Sequence, residues 1–162
     1  MNTISATRLT LWSLIAISAA SLPAAAGSRP DVPIPERMRG AQRTVVARVA
    51  SVRPTWVTNR WGDQLIVSQL TLAVEETLKG RAAQSLQLQM EGGTLDGLTL
   101  HVSDMPSLEA GDRGVFMLDD ASAVQTVPHR RGLGVLKLDR QNRVENSDVT
   151  LDMIREMARQ AR

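Results

Sequence analysis

Few side chains in this sequence could do covalent chemistry. There are two histidines, His101 and His129, and no cysteine. Thiol nucleophiles, thiolate metal sites and thiol redox chemistry are therefore excluded. A hydrolytic triad needs a nucleophile, a base and an orienting acid, and the Gly-x-Ser-x-Gly elbow is absent. His101 alternates with apolar neighbours and shares a face with Thr99 and Ser103, as a surface histidine would. A small hydrolase built on it is the weakest of three functional readings. His129 lies in Pro128-His129-Arg130-Arg131-Gly132, a loop that is either solvated or an anion site made with Arg130 and Arg131. His101-x-x-Asp104 and Asp119-Asp120 match no metal cage, and no glycine-rich phosphate loop opens a helix. No metal or cofactor is expected.

Two tryptophans offer a different kind of chemistry. Trp56 and Trp61 lie in Arg53-Pro54-Thr55-Trp56-Val57-Thr58-Asn59-Arg60-Trp61-Gly62-Asp63. Read as a loop between two strands, this stretch presents aromatic faces flanked by Arg53, Asn59 and Arg60. Such a surface suits stacking, cation–π contact or a partner's pocket. The alternative is a ribbon that runs on through the stretch, with a Trp covering an open end of the domain. The first reading predicts a non-enzymatic module whose Trp loop binds a protein outside the cytoplasm, such as a protease. The second predicts an oligosaccharide- or nucleic-acid-binding barrel, with nucleic acid the less favoured ligand.

The charge balance explains why. The net charge is only +2 although the pI is about 9.9. With no Tyr or Cys to titrate, a nearly neutral chain still reports a high pI. Nucleic-acid binding requires clustered cations. Arg37, Arg39, Arg43, Arg48 and Arg53 form only a modest cluster, read as the solvated edge of the first strand.

The N-terminus predicts export. Arg8 precedes the apolar run Leu9–Ala20, which is shorter than the roughly 20 residues a bilayer core needs. Leu22-Pro23 breaks it, and Ala24-Ala25-Ala26 supplies small residues for a signal peptidase. Residues 1–26 read as a cleaved signal peptide, giving a periplasmic or secreted protein that starts at Gly27 with no further membrane span. Residues 27–42 carry Pro30, Pro33 and Pro35 and read as an extended arm.

Residues 43–146 read as successive strands. Thr44–Arg53 is β-branched and apolar on both faces. In Gln64–Leu78, Ile66, Leu70, Leu72, Val74 and Leu78 share one face, with Ser68 and Glu76 as exceptions. Leu86–Met90, Leu98–Ser103, Val115–Leu118, Ala123–Val127 and Leu133–Leu138 supply the remaining strands, divided by Gly92-Gly93, Asp96-Gly97 and Gly111-Asp112. Residues 147–162 read as a helix capped by Ser147 or Asp148, with Leu151, Ile154, Met157 or Ala158, and Ala161 as its apolar stripe. The expected fold is all-β, a five- to six-stranded OB-like barrel with a C-terminal helix packed on it. The long second strand favours this over an immunoglobulin-like sandwich.

The ordered motifs carry a resemblance. Val45-Val46-Ala47-Arg48-Val49, then Val74-Glu75-Glu76-Thr77-Leu78-Lys79-Gly80, then Gly92-Gly93, Met105-Pro106-Ser107-Leu108 and Gly111-Asp112-Arg113 before Val115–Leu118 span residues 43–138. The pattern resembles a family of small exported bacterial proteins of unsettled function. At fold level it is also similar to the OB-like barrel of netrin-type modules and tissue metalloprotease inhibitors, where a strand likewise ends in a Lys-Gly turn. Those inhibitors block a catalytic zinc with a disulfide-anchored N-terminal Cys. This chain has none, so the likeness implies fold and not inhibition.

Overall fold

The computed structural model describes residues 32–161. The signal peptide expected at 1–26 and the start of the arm lie outside them. Eight strands form: β1 (Arg43–Thr58), β2 (Gln64–Lys79), β3 (Ser85–Glu91), β4 (Gly93–Leu95), β5 (Leu98–Leu100), β6 (Arg113–Asp120), β7 (Thr126–Pro128) and β8 (Val135–Leu138). Helix α1 (Ile34–Gly40) precedes them and helix α2 (Leu151–Gln160) follows.

Six strands make one sheet in the order β1-β2-β3-β7-β6-β8, and β6 also pairs back onto β1. Five of them thus form a barrel-like ring, and β8 follows β7 along the same edge of β6, pairing with residues 113–116 where β7 pairs with 118–120. The ring is thinnest between β3 and β7, which share a single parallel pair, Leu88 with Thr126. Thr126 Oγ1 supports that join by donating to Gln87 O at 2.8 Å. An OB-like barrel closed mostly by antiparallel pairs and left partly open at one seam is the architecture expected from the strand pattern.

The core has two parts, and they explain the apolar runs. Val45, Ala47, Val49, Leu72, Leu88 and Phe116 fill the ring. Val46, Val115, Met117 and Leu136 face outward, and α1 and α2 cover them through Met38, Leu151, Ile154 and Ala158. The first part of β1, Thr44–Ala47, and most of β6 are therefore buried on both faces, so neither stretch alternates in sequence. The two exceptions in β2 each have a partner. Ser68 Oγ donates to Gly92 O at 2.7 Å, and Glu76 Oε2 takes Arg155 Nη2 at 2.7 Å.

Five sequence expectations need correction. The arm is not extended throughout, because residues 34–40 are helical. Pro33 occupies the cap position and Pro35 the first turn, where no intrahelical N–H is required. Buried Met38 and Ala41 then hold the segment to the core. The C-terminal helix starts at Leu151 and is capped by neither Ser147 nor Asp148; Thr150 Oγ1 accepts from Met153 N at 3.3 Å. The final strand is shortened by a 3-10 turn over Arg131–Gly134, and the short edge strand is Thr126–Pro128. Finally, β1 does not stop at Arg53 but runs to Thr58, which bears directly on the tryptophans.

Lys79 explains how α1 is seated. Its Nζ donates to Met38 O at 2.9 Å, Arg39 O at 2.7 Å and Ala41 O at 2.6 Å. These carbonyls end a helix and have no intrahelical donors, so a cation there is doubly favourable. The Lys79-Gly80 turn is thus a clamp on α1.

Candidate binding surface at the β1–β2 tip

The tip is built from an unbroken ladder. From Ser51 paired with Thr71 to Thr58 paired with Gln64, β1 and β2 stay in register, with no bulge beyond Ser51. β-branched Thr55, Val57 and Thr58 suit the extended backbone. Arg53 and Trp56 therefore sit in a strand: of the two alternatives the sequence left, a loop or a ribbon that runs on, the structure has the ribbon as far as Thr58. The connection is short. Asn59 N donates to Asp63 O at 2.9 Å and Gly62 N to Asn59 O at 3.1 Å. Gly62 has φ +92°, the left-handed position that a three-residue hairpin loop places after its turn.

Asn59 has a structural task here. Its Oδ1 accepts from Trp61 N and Asp63 N, both at 2.9 Å, and its Nδ2 donates to Asp63 Oδ2 at 3.0 Å. With every polar atom of its amide committed to the turn, Asn59 holds the loop rather than meeting a ligand. What the turn presents is Trp61, 71% exposed, with the Arg60 guanidinium 4.1 Å from its ring centroid.

Trp56 is placed differently. Its Nε1 donates to Asp96 Oδ2 at 3.2 Å, and it is 39% exposed. Asp96 lies in the β4–β5 turn, where Asp96 and Gly97 both take positive φ. This hairpin lies against the ribbon at Gly93, where a Cβ would fall 2.6 Å from Ser68 Oγ and 3.5 Å from Pro54 Cβ. Trp56 therefore both closes the ribbon onto the second hairpin and keeps part of its ring in solvent. Leu98 of the same hairpin is 59% exposed. Three of the large apolar side chains left in solvent, Trp56, Trp61 and Leu98, thus belong to these two hairpins. Sequence reasoning missed Asp96 and Leu98, since only the pairing of β4 with β5 brings Asp96 to Trp56 and sets Leu98 on the same hairpin.

No family model matches this chain, and no curated protein matches it in sequence.

Below the tip, a cleft of about 130 Å³ opens at the mouth of the ring, lined by Ser68, Met90, Thr94, His101, Met105 and Leu108 among others. His101 follows β5 directly instead of standing within a strand. The two histidines do not meet a nucleophile: the one side-chain hydrogen bond of either, among the described residues, joins His129 Nδ1 to Asp119 Oδ2 at 2.8 Å. The carboxylate only accepts, so Nδ1 carries the proton.

The anion site suggested by His129, Arg130 and Arg131 is not assembled. Each group is turned to its own carboxylate: His129 to Asp119, Arg130 to Glu36 at 3.5 Å, and Arg131 to Asp104 and Glu91 at 2.5 and 2.8 Å. Those carboxylates, Asp104 first, raise the Arg131 guanidinium further above its already high value. His129 Nε2 is buried without a partner, beneath Gly40. A Cβ at Gly40 would lie 2.6 Å from that nitrogen. Gly40→Ala is accordingly expected to cost about 1–2 kcal/mol by overpacking. Most of that penalty should disappear when Gly40→Ala is made on a His129→Ala background, as measured by urea unfolding.

The arginine cluster is likewise neutralised in part. Arg43 pairs with Asp120 at 3.1 Å and Arg48 with Glu75 at 3.5 Å, while Arg37 donates to the Val32 and Leu133 carbonyls. No group of three or more metal-binding side chains occurs among the described residues. None of their helices is long and apolar enough to cross a membrane.

Proposed function

We propose that this is an exported, non-catalytic binding module that presents the β1–β2 tip to a protein partner outside the cytoplasm. The observation that supports it is Trp61. A large apolar side chain is left 71% exposed by a turn whose own hydrogen bonds are complete. Nothing in the fold of the described residues requires it there, whereas a partner's pocket gains both its area and its ring. Trp56, Leu98 and Arg60 extend the same surface. Export rests on the signal-peptide pattern of residues 1–26.

The experiment uses the mature protein from Gly27, immobilised and exposed to envelope and medium fractions of its source. Trp61→Ala is expected to lower partner retention by at least about 2 kcal/mol, the loss typical of an interface anchor. The circular dichroism and urea midpoint should change little, because Trp61 lies outside the core and its ring contact is with its exposed neighbour Arg60. Full retention by Trp61→Ala would remove the tip as the binding surface.

A further inference from the structure

β1 is covered unequally on its two sides. β2 pairs with it from Thr44 to Thr58, but β6 covers the opposite edge only from Arg43 to Arg48. Bonds from Val49 N to Asp112 O and from Gly111 N to Val49 O, both 2.8 Å, carry that cover slightly further. Beyond Ser51 no strand among the described residues pairs with this edge.

The hairpin end sets the phase of the open stretch. Asn59 N donates across to Asp63 O, so Asn59 points toward β2. Antiparallel alternation, unbroken from Ser51 to Thr58, then turns the backbone of Val52, Pro54, Trp56 and Thr58 to the open side. Pro54 agrees with this phase. It has no N–H to give, and it stands where no β2 carbonyl needs one. The edge thus offers the N–H groups of Val52, Trp56 and Thr58 and the carbonyls of all four residues.

Side chains select what adds there. Arg53 is exposed and makes no ion pair or side-chain hydrogen bond among the described residues, whereas Arg43, Arg48, Arg113, Arg131 and Arg155 each hold a carboxylate. Pro54 and Trp56 share the other face of the strand.

We infer that the free edge of β1 takes an extended segment of the protein partner as an added antiparallel strand in the row β6 leaves vacant, with an acidic side chain beside Arg53 and apolar side chains beside Pro54 and Trp56. Main-chain bonds supply the affinity of such strand addition, and the alternate side chains its selectivity. The inference rests on the tip being a partner surface. A second copy fits less well. Self-pairing about Thr55 removes a ladder donor at both Pro54 positions and leaves both Arg53 side chains without an acid.

The test titrates isotope-labelled protein with millimolar capped heptapeptides that alternate Val with Glu or Val with Lys. The Val–Glu peptide is expected to shift the amide resonances of Val52, Trp56 and Thr58 and to slow their hydrogen exchange. A Val–Glu peptide N-methylated on its edge-facing amides should not bind. The preference for Glu over Lys should be severalfold, as for an exposed charge pair, and Arg53→Glu should invert it. Absent shifts, shifts away from this edge, a charge-independent response, or a dimer whose edge amides are already protected would each overturn the inference. If a partner is retained through Trp61 while the peptides leave the edge untouched, strand addition fails and the binding reading stands. If the peptides bind at the edge but no partner needs Trp61, the reverse holds.

Discussion

Gly132→Ala is expected to be the most damaging single-methyl change in this protein, costing about 3 kcal/mol or more. A Cβ at Gly132 would fall 1.7 Å from Asp104 O, 2.7 Å from Asp104 C and 3.1 Å from Met105 Cα. All three are backbone atoms, so no side-chain rotation relieves the overlap. Either the 3-10 turn over Arg131–Gly134 or the segment at Asp104-Met105 must move. Both moves are costly. Asp104 holds Arg131, and Met105 packs against the core inside the ring. Set against the roughly 5–15 kcal/mol that stabilises a domain, the loss is large. The measurement is a urea denaturation midpoint at unchanged slope. Gly111→Ala is the control: nothing lies within 4 Å of its Cβ, and only its φ of +97° is penalised. That strain alone is worth about 1–2 kcal/mol. A Gly132→Ala midpoint equal to that of Gly111→Ala would refute the account.

Lys79→Met is expected to cost about 3 kcal/mol and to release α1. Methionine keeps most of the side chain's bulk but leaves the carbonyls of Met38, Arg39 and Ala41 without their donor. A hydrogen bond to a charged group contributes roughly 1.5–3 kcal/mol, and three on one ammonium do not add fully. The loss should be local first. Hydrogen exchange at the amides of Arg37 and Ala41, bonded to Pro33 O and Arg37 O, should accelerate more than at the amides of β6. Lys79→Arg should retain part of the effect, because the guanidinium keeps the charge but not the compact three-way geometry. Uniform acceleration across the sheet would show that Lys79 does not act through α1.

The barrel strands were legible where one face is wet. The alternation of β2 is visible in the sequence where Leu70, Leu72 and Val74 face the ring. Beyond the register shifts opposite Thr44–Ala47 the phase changes, and Leu78, expected on the same face, packs instead in the part of the core that the helices cover. The two-sided burial of β6 and of the first part of β1 was legible as continuous apolar runs. The helix in the proline-rich arm was not. Local sequence reports three prolines, and only the buried seat of Met38 with the Lys79 clamp makes the turn worthwhile. The tip was half legible. Trp56 and Trp61 stood out in a chain otherwise poor in aromatics, but they looked alike. Pairing with β2 makes Trp56 a strand residue bonded to Asp96, while Trp61 remains at the turn. Asn59 looked like a ligand contact because an amide's partners cannot be read from its neighbours in sequence.

By itself the sequence determined the class of this protein: no thiol chemistry, little net charge, and a mostly β domain with a helix at its end. These follow from composition and from periodicities of two and 3.6 residues, which report burial along one element at a time. Tertiary structure decided the rest. It closed the ring through β6 onto β1, turned His129, Arg130 and Arg131 to separate carboxylates, and left the edge of β1 open beyond Ser51. Each of these depends on which distant groups meet, and the pairing of distant groups is set by the packed whole rather than by any local pattern.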